Sequence, residues 1–102
     1  MKFNENIEKH PEQLMVLAKN GDLQAFEKLY QLYFTPLYRY IYLRVKNKAE
    51  AEDLTQTVFL KSLQTIGNFQ NIGKPPLAYF FTAARNTVIN FWRKKKEISA
   101  VD

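Results

Sequence analysis

The sequence predicts an all-α fold, a compact bundle of about four helices, and three observations carry that reading. Only three Gly and four Pro occur in 102 residues, too few for the turns of a small sandwich or barrel. Apolar residues recur three and four positions apart over long stretches, and no stretch alternates with period two for the length of a strand. Hydrophobic residues make up 46% of the chain, enough apolar material for one core in a single domain.

The first helix is predicted from about Pro11 to Asn20. Pro11 suits a first helical position, and Leu14, Leu17 and Ala18 form one apolar stripe. Gly21 ends it, and Asp22 caps the next segment. The second helix, Leu23 to about Lys46, carries Phe26, Leu29, Tyr33, Leu37, Tyr40 and Ile41 at helical spacing. Pro36 lies inside it and removes the hydrogen bond to the Leu32 carbonyl, so a kink or short break is expected there. Asn47 with Glu50 three residues on reads as a capping-box variant. The third helix then runs from about Lys48 to Ile66, buries Ala51, Leu54, Val58, Phe59, Leu63 and Ile66, and is stopped by Gly67. Residues 67–76 are the one real loop, tied to the core by Phe69 and Ile72. Pro76 opens the fourth helix, which continues to about Lys96.

Charge is unevenly placed. The net charge is +5, yet residues 1–53 hold eight bases and eight acids. From Leu54 to Lys96 there is no acid, while Lys61, Lys74, Arg85, Arg93, Lys94, Lys95 and Lys96 contribute +7. Such a stretch fits a face built for a polyanion, or simply a solvated lysine cluster complementing a helix dipole. Function classes fall away more sharply. With no Cys there is no disulfide scaffold, thiolate metal site or Cys nucleophile. A lone histidine, His10, builds neither a multi-His metal site nor a catalytic triad. The acids Glu50, Glu52 and Asp53 sit on helix faces, and no phosphate loop or nucleophile elbow is present. No catalytic residue, metal or cofactor is therefore predicted. No run of about 18 apolar residues occurs, so no membrane association is expected, and the default location is cytoplasmic.

The fourth helix carries the strongest candidates. Arg85, Asn86 and Asn90 have donors and acceptors suited to base edges, and Asn86 and Asn90 share a face. Aromatics beside a cationic run are what unstacked bases need. Phe80, Phe81, Val88 and Trp92 read as core; Tyr79, beside the loop, is open to either role. On the third helix Asp53, Gln56, Thr57 and Leu60 lie away from the buried side. That strip fits docking against another protein's helix, although the pattern alone favours an ordinary wet helix face with one exposed leucine.

The run Ala49-Glu50-Ala51-Glu52-Asp53-Leu54-Thr55-Gln56-Thr57-Val58-Phe59-Leu60-Lys61 resembles the AEDLxQxxFL signature of bacterial sigma factors of the extracytoplasmic-function group. Ala84-Arg85-Asn86, Ile89-Asn90 and Arg93-Lys94-Lys95-Lys96 resemble that group's ARNxxID-x-x-RRxxR helix, and Phe26–Tyr30 and Leu37–Tyr40 its opening helix. The resemblance covers roughly residues 10–97 and implies sigma region 2. It implies that Asp53, Gln56, Thr57, Leu60 and Leu63 dock on the clamp helices of the RNA polymerase β′ subunit. It also implies that the loop around Asn68 to Lys74 holds a flipped base of the promoter −10 element. Tyr79, Arg85, Asn86 and Asn90 would line the path of the non-template strand, and Arg93, Lys94, Lys95 and Lys96 would grip phosphates. An anti-sigma factor is the implied regulator. Thr57 stands where the group usually has Glu, Tyr79 where Trp is common, Thr82 where a base is usual and Asn90 where Asp is usual. A complete factor of this group also carries a C-terminal helix-turn-helix domain for the −35 element, so the sequence is expected to be one half of a two-domain factor.

Overall fold

The computed structural model describes residues 9–70 and 73–101. Four helices account for nearly all of them: α1 (Pro11–Lys19), α2 (Leu23–Val45), α3 (Lys48–Thr65) and α4 (Pro76–Val101), with a 3-10 turn at Ile66–Asn68. No strand occurs among the described residues. The central α2 packs on α1, α3 and α4, and α3 packs along α4.

The α1–α2 corner is set by local chemistry. Gly21 takes φ +99°, a left-handed conformation that costs a residue with a Cβ roughly 1–2 kcal/mol. That conformation turns the Asp22 N–H onto the Leu17 carbonyl (2.9 Å) and the Gly21 N–H onto that of Ala18 (3.0 Å), satisfying the carbonyls left open at the helix end. Asp22 then serves the next helix: its Oδ1 accepts from the Ala25 N–H at 3.1 Å.

Pro36 produces no break, and α2 runs uninterrupted from Leu23 to Val45. An interior proline costs about 3 kcal/mol or more. Leu29, Leu37 and Ile41, on either side of it, are completely buried, and each such side chain is worth about 1.5–3 kcal/mol. Packing therefore outweighs the missing hydrogen bond. At the far end no glycine is available, and Lys46 itself adopts φ +60° while its N–H reaches the Tyr42 carbonyl at 2.8 Å. Asn47 immediately caps α3, with Oδ1 accepting from the Glu50 N–H at 2.9 Å. Only that half of the predicted box forms, because the Glu50 carboxylate lies 3.7 Å from Lys95 Nζ on α4.

The buried stripe of α3 differs from the predicted one. Ala51, Thr55, Val58, Phe59 and Ser62 face inward. Leu54 is only half-buried, and Leu63 is 36% exposed. Following the leucines misplaces the stripe, since two of its positions hold short hydroxyl residues. Thr55 satisfies its hydroxyl on the Ala51 carbonyl at 2.6 Å. Helix α3 ends at Thr65, one residue early, and tightens into the 3-10 turn that holds buried Ile66 and contains Gly67. Phe69 packs on the core as predicted, whereas Ile72 lies outside the described residues. Helix α4 continues five residues past the predicted Lys96.

Three phenylalanines from three helices meet at the centre. Phe59 lies 5.4 Å from Phe80 and 6.4 Å from Phe26 between ring centroids. Each pair of this kind adds about 0.5–1.5 kcal/mol beyond burial. Further aromatics form a half-buried ladder along α2, with Phe34 and Tyr38 near-parallel at 6.1 Å and Tyr38 and Tyr42 at 6.0 Å. The surplus of rings is thus spent mainly on packing.

Candidate nucleic-acid interface

A groove of about 510 Å³ opens where the C-terminal end of α3, the turn after it and the first turns of α4 converge. Four of the sequence-predicted residues line it: Asn68, Lys74, Tyr79 and Asn86. Sequence reasoning missed Thr65; it covered Phe69 and Gln70 only within the loop Asn68 to Lys74, Thr82 only as a departure from the group's pattern and Lys61 only as charge. Ser62 also lines the groove; its Oγ is buried without a hydrogen-bond partner among the described residues. The walls are mainly apolar carbon with amides and two lysines at the edges, the composition of a site that takes a flat, partly polar ligand.

Tyr79 is held from both ends. Its ring stands edge to face with Phe69 at 5.4 Å and with Phe80 at 5.3 Å. Its hydroxyl pairs with Thr65 Oγ1 at 2.6 Å and reaches the Ser62 carbonyl at 3.4 Å. Thr82 is back-bonded, its hydroxyl donating to the Ala78 carbonyl at 3.0 Å.

Beyond the groove the face continues along α4. At 100° per residue, Tyr79, Asn86, Asn90 and Arg93 fall within a sector of about 60°. Arg93 donates to Asn90 Oδ1, so these two side chains are already organised together. Lys94 and Lys96 are exposed and flank the stripe on either side. Arg85 is exposed too but does not line the groove. From Asn86 to Lys96 the track extends about 15 Å at 1.5 Å per residue.

Two predicted placements change. Lys95 points away from the stripe, with its Nζ 3.7 Å from Glu50 Oε2 and 5.4 Å from the Phe91 ring centre. Trp92, predicted as core, is 47% exposed, and its indole N–H donates to the Arg44 carbonyl at 3.2 Å. It satisfies one of the open carbonyls at the end of α2 and stitches α4 to it.

The α3 strip forms a separate surface. Asp53, Gln56 and Leu60 are exposed, Leu60 at 58%, and Leu63 joins them. Thr57 is half-buried and folds back, its hydroxyl donating to the Asp53 carbonyl at 3.0 Å. On the helix the centre of this sector lies about 100° from Lys61 and about 140° from Thr65, which line the groove. No cluster of His, Cys, Asp or Glu able to hold a metal occurs among the described residues, and no described helix is long and apolar enough to cross a membrane.

Comparison with known proteins agrees with this geometry. The family model of Sigma-70 region 2 matches residues 29–98. BldN of Streptomyces coelicolor, an ECF RNA polymerase sigma factor, is 42% identical over 84 residues, covering 82% of this chain and 32% of its own. SigM of Bacillus subtilis, another ECF RNA polymerase sigma factor, is 34% identical over 79 residues, 76% of this chain and 47% of its own. The chain thus spans a third to a half of the length of these relatives. A solved structure of the RsbN–BldN complex superposes with a TM-score of 0.71 at 41% identity, over 78% of this chain and 58% of that one. The helical bundle, the matched residues and these relatives agree: the chain belongs to the Sigma-70 region 2 family, as the region 2 domain of an ECF sigma factor.

Proposed function

We propose that this domain recognises the promoter −10 element and holds its non-template strand while docked on RNA polymerase. One observation carries the reading. The Tyr79 groove, lined by Asn86, opens onto the α4 stripe of Asn90 and Arg93, with Lys94 and Lys96 flanking that stripe. A base extruded into the groove stacks on aromatic carbon, amides meet base edges, and the cations meet phosphates spaced along the strand. Opening DNA costs about 1.4 kcal/mol of stacking per step, and one base stacked on an aromatic side chain returns about 1–3 kcal/mol. Capture of one or two bases therefore biases melting without a chemical energy source, and the domain acts by binding alone.

Docking falls to the other side of α3. Asp53, Gln56, Thr57, Leu60 and Leu63 present a mixed polar and apolar strip to the β′ clamp helices. BldN is seen in complex with RsbN, and a protein inhibitor of this domain would act by covering the same strip. Such a factor works in the cytoplasm, where polymerase is.

The test is binding of the full chain to a fluorescent −10-like oligonucleotide, single-stranded against duplex. The single strand is expected to bind more tightly, and Tyr79→Ala to remove about 1–3 kcal/mol of that preference. Equal affinity for both forms, unchanged in Tyr79→Ala, overturns the reading.

A further inference from the structure

We infer that Thr65 is a positioning residue for DNA capture: its hydroxyl fixes the Tyr79 ring in the orientation that receives an unstacked base. This rests on the proposal that the groove takes a base, and it assigns a role to a residue outside both signature runs. The hydroxyl pair is tied to the backbone of α3 from both of its members. Thr65 Oγ1 lies 3.1 Å from the Lys61 carbonyl and 3.5 Å from that of Ser62, and a carbonyl only accepts. The Tyr79 hydroxyl likewise lies 3.4 Å from the Ser62 carbonyl, so whichever hydroxyl donates across the 2.6 Å contact, the other has an α3 carbonyl to donate to. Two hydroxyls in series polarise one another, and the chain ends on a helix carbonyl that cannot move independently.

The consequence is a ring immobilised across two helices. Tyr79 begins on α4, 14 residues after Thr65, yet its hydroxyl is anchored on the last turn of α3. Phe69 and Phe80 brace the ring at 82° and 85°. An unanchored tyrosine would have to be ordered when the base arrives. Here that conformational cost is met during folding, so more of the stacking energy appears as affinity. Thr65 does not stack and need not touch the base. Its effect passes through Tyr79.

The experiment compares the wild-type domain with Thr65→Val, Tyr79→Phe and the double variant. Valine keeps the shape of threonine and phenylalanine keeps the ring, so only the hydroxyl pair is removed. The probe is oligothymidylate carrying one 2-aminopurine, whose fluorescence is quenched on stacking. Each single variant is expected to bind about two- to tenfold more weakly with reduced quenching, the range of one ordinary hydrogen bond. The double variant is expected to be no weaker than either single one. Additive losses, or wild-type binding and quenching in Thr65→Val, overturn the inference. A second readout is independent of DNA: the Tyr79 ring resonances of the free protein should shift and broaden in Thr65→Val, and unchanged resonances also overturn it. If the wild type binds without quenching while the ring resonances respond, base capture fails and the assignment to DNA capture fails with it. Quenching by the wild type with no response to Thr65→Val removes the positioning role and leaves base capture standing.

Discussion

The salt dependence of DNA binding gives the sharpest test of which cations lie on the track. Lys61 and Lys74 border the groove, and Arg93, Lys94 and Lys96 lie on or beside the α4 stripe. For a single strand the slope of log affinity against log salt is about −0.7 per phosphate neutralised, so five phosphates give about −3.5. Between 50 and 200 mM salt that is a loss of about 130-fold. Removing two contacts in Lys94→Ala/Lys96→Ala brings the slope to about −2.1 and the loss to about 18-fold. Lys95→Ala carries the same change in charge per residue, but its ammonium faces Glu50 on the other side of the helix. That exposed pair is worth at most about 1 kcal/mol of stability, and its removal should leave the slope at the wild-type value. Fluorescence anisotropy of a labelled single strand over four salt concentrations measures all three proteins. A Lys95→Ala slope reduced as much per residue as the double variant's would show a diffuse cationic cloud and refute the geometric argument. An unchanged slope in Lys94→Ala/Lys96→Ala would refute phosphate binding at this end altogether.

Three further outcomes are expected. Gln56→Ala and Leu60→Ala should weaken capture of the isolated β′ clamp helices in a quantitative pull-down while leaving the melting temperature unchanged, because both side chains are exposed. Lys46→Gly should raise the unfolding free energy by up to about 1–2 kcal/mol in urea titration, since it relieves a left-handed non-glycine residue at φ +60°; part of that gain is offset by the greater freedom of glycine in the unfolded chain. Burial and then the nearby Glu12 charge raise the Tyr33 phenol above its ordinary value. The neutral form is favoured on folding, so this contribution is complete below about pH 10 and is lost as the pH rises through the higher folded value. Tyr33→Phe should therefore flatten the fall in stability at alkaline pH, read from urea midpoints.

What could be read from the sequence was mostly what is local. Pro11, Gly21, Asp22, Asn47 and Pro76 act within one turn of themselves, and each marks the helix boundary it promised. Tyr79, Asn68, Lys74 and Asn86 could be found because they cluster around one loop. The residues missed act over distance. A threonine near a helix end gives no signal by itself, and Thr65 becomes informative only when α4 returns Tyr79 to it across a Gly- and Pro-rich loop. Trp92 looks like core because tryptophan usually is. Its N–H instead serves a carbonyl 48 residues earlier. Lys95 is drawn off the basic run by Glu50, which the sequence places in a capping box, and Leu63 is exposed because Ser62 holds the buried position beside it.

These long-range contacts bear on how one small domain performs two jobs. Helix α3 carries the docking strip on one side and, about a third of a turn round, Lys61 and Thr65 of the groove. Helix α4 cannot shift against it freely. Thr65 holds Tyr79 at one end, Phe59 and Phe80 pack between, and Lys95 and Trp92 tie α4 to Glu50 and to the end of α2. None of the polar ties is strong alone, at about 0.5–1.5 kcal/mol for a hydrogen bond and less for the exposed ion pair. Their spacing matters more than their sum, because contacts at both ends and the middle remove rotation as well as sliding. A protein partner that grips the outer side of α3 therefore sets the position of the groove as well. In the proposed function, docking on polymerase would place the Tyr79 ring relative to the DNA with no further ordering of the domain. Loosening either end of α4 should then weaken base capture more than it weakens docking.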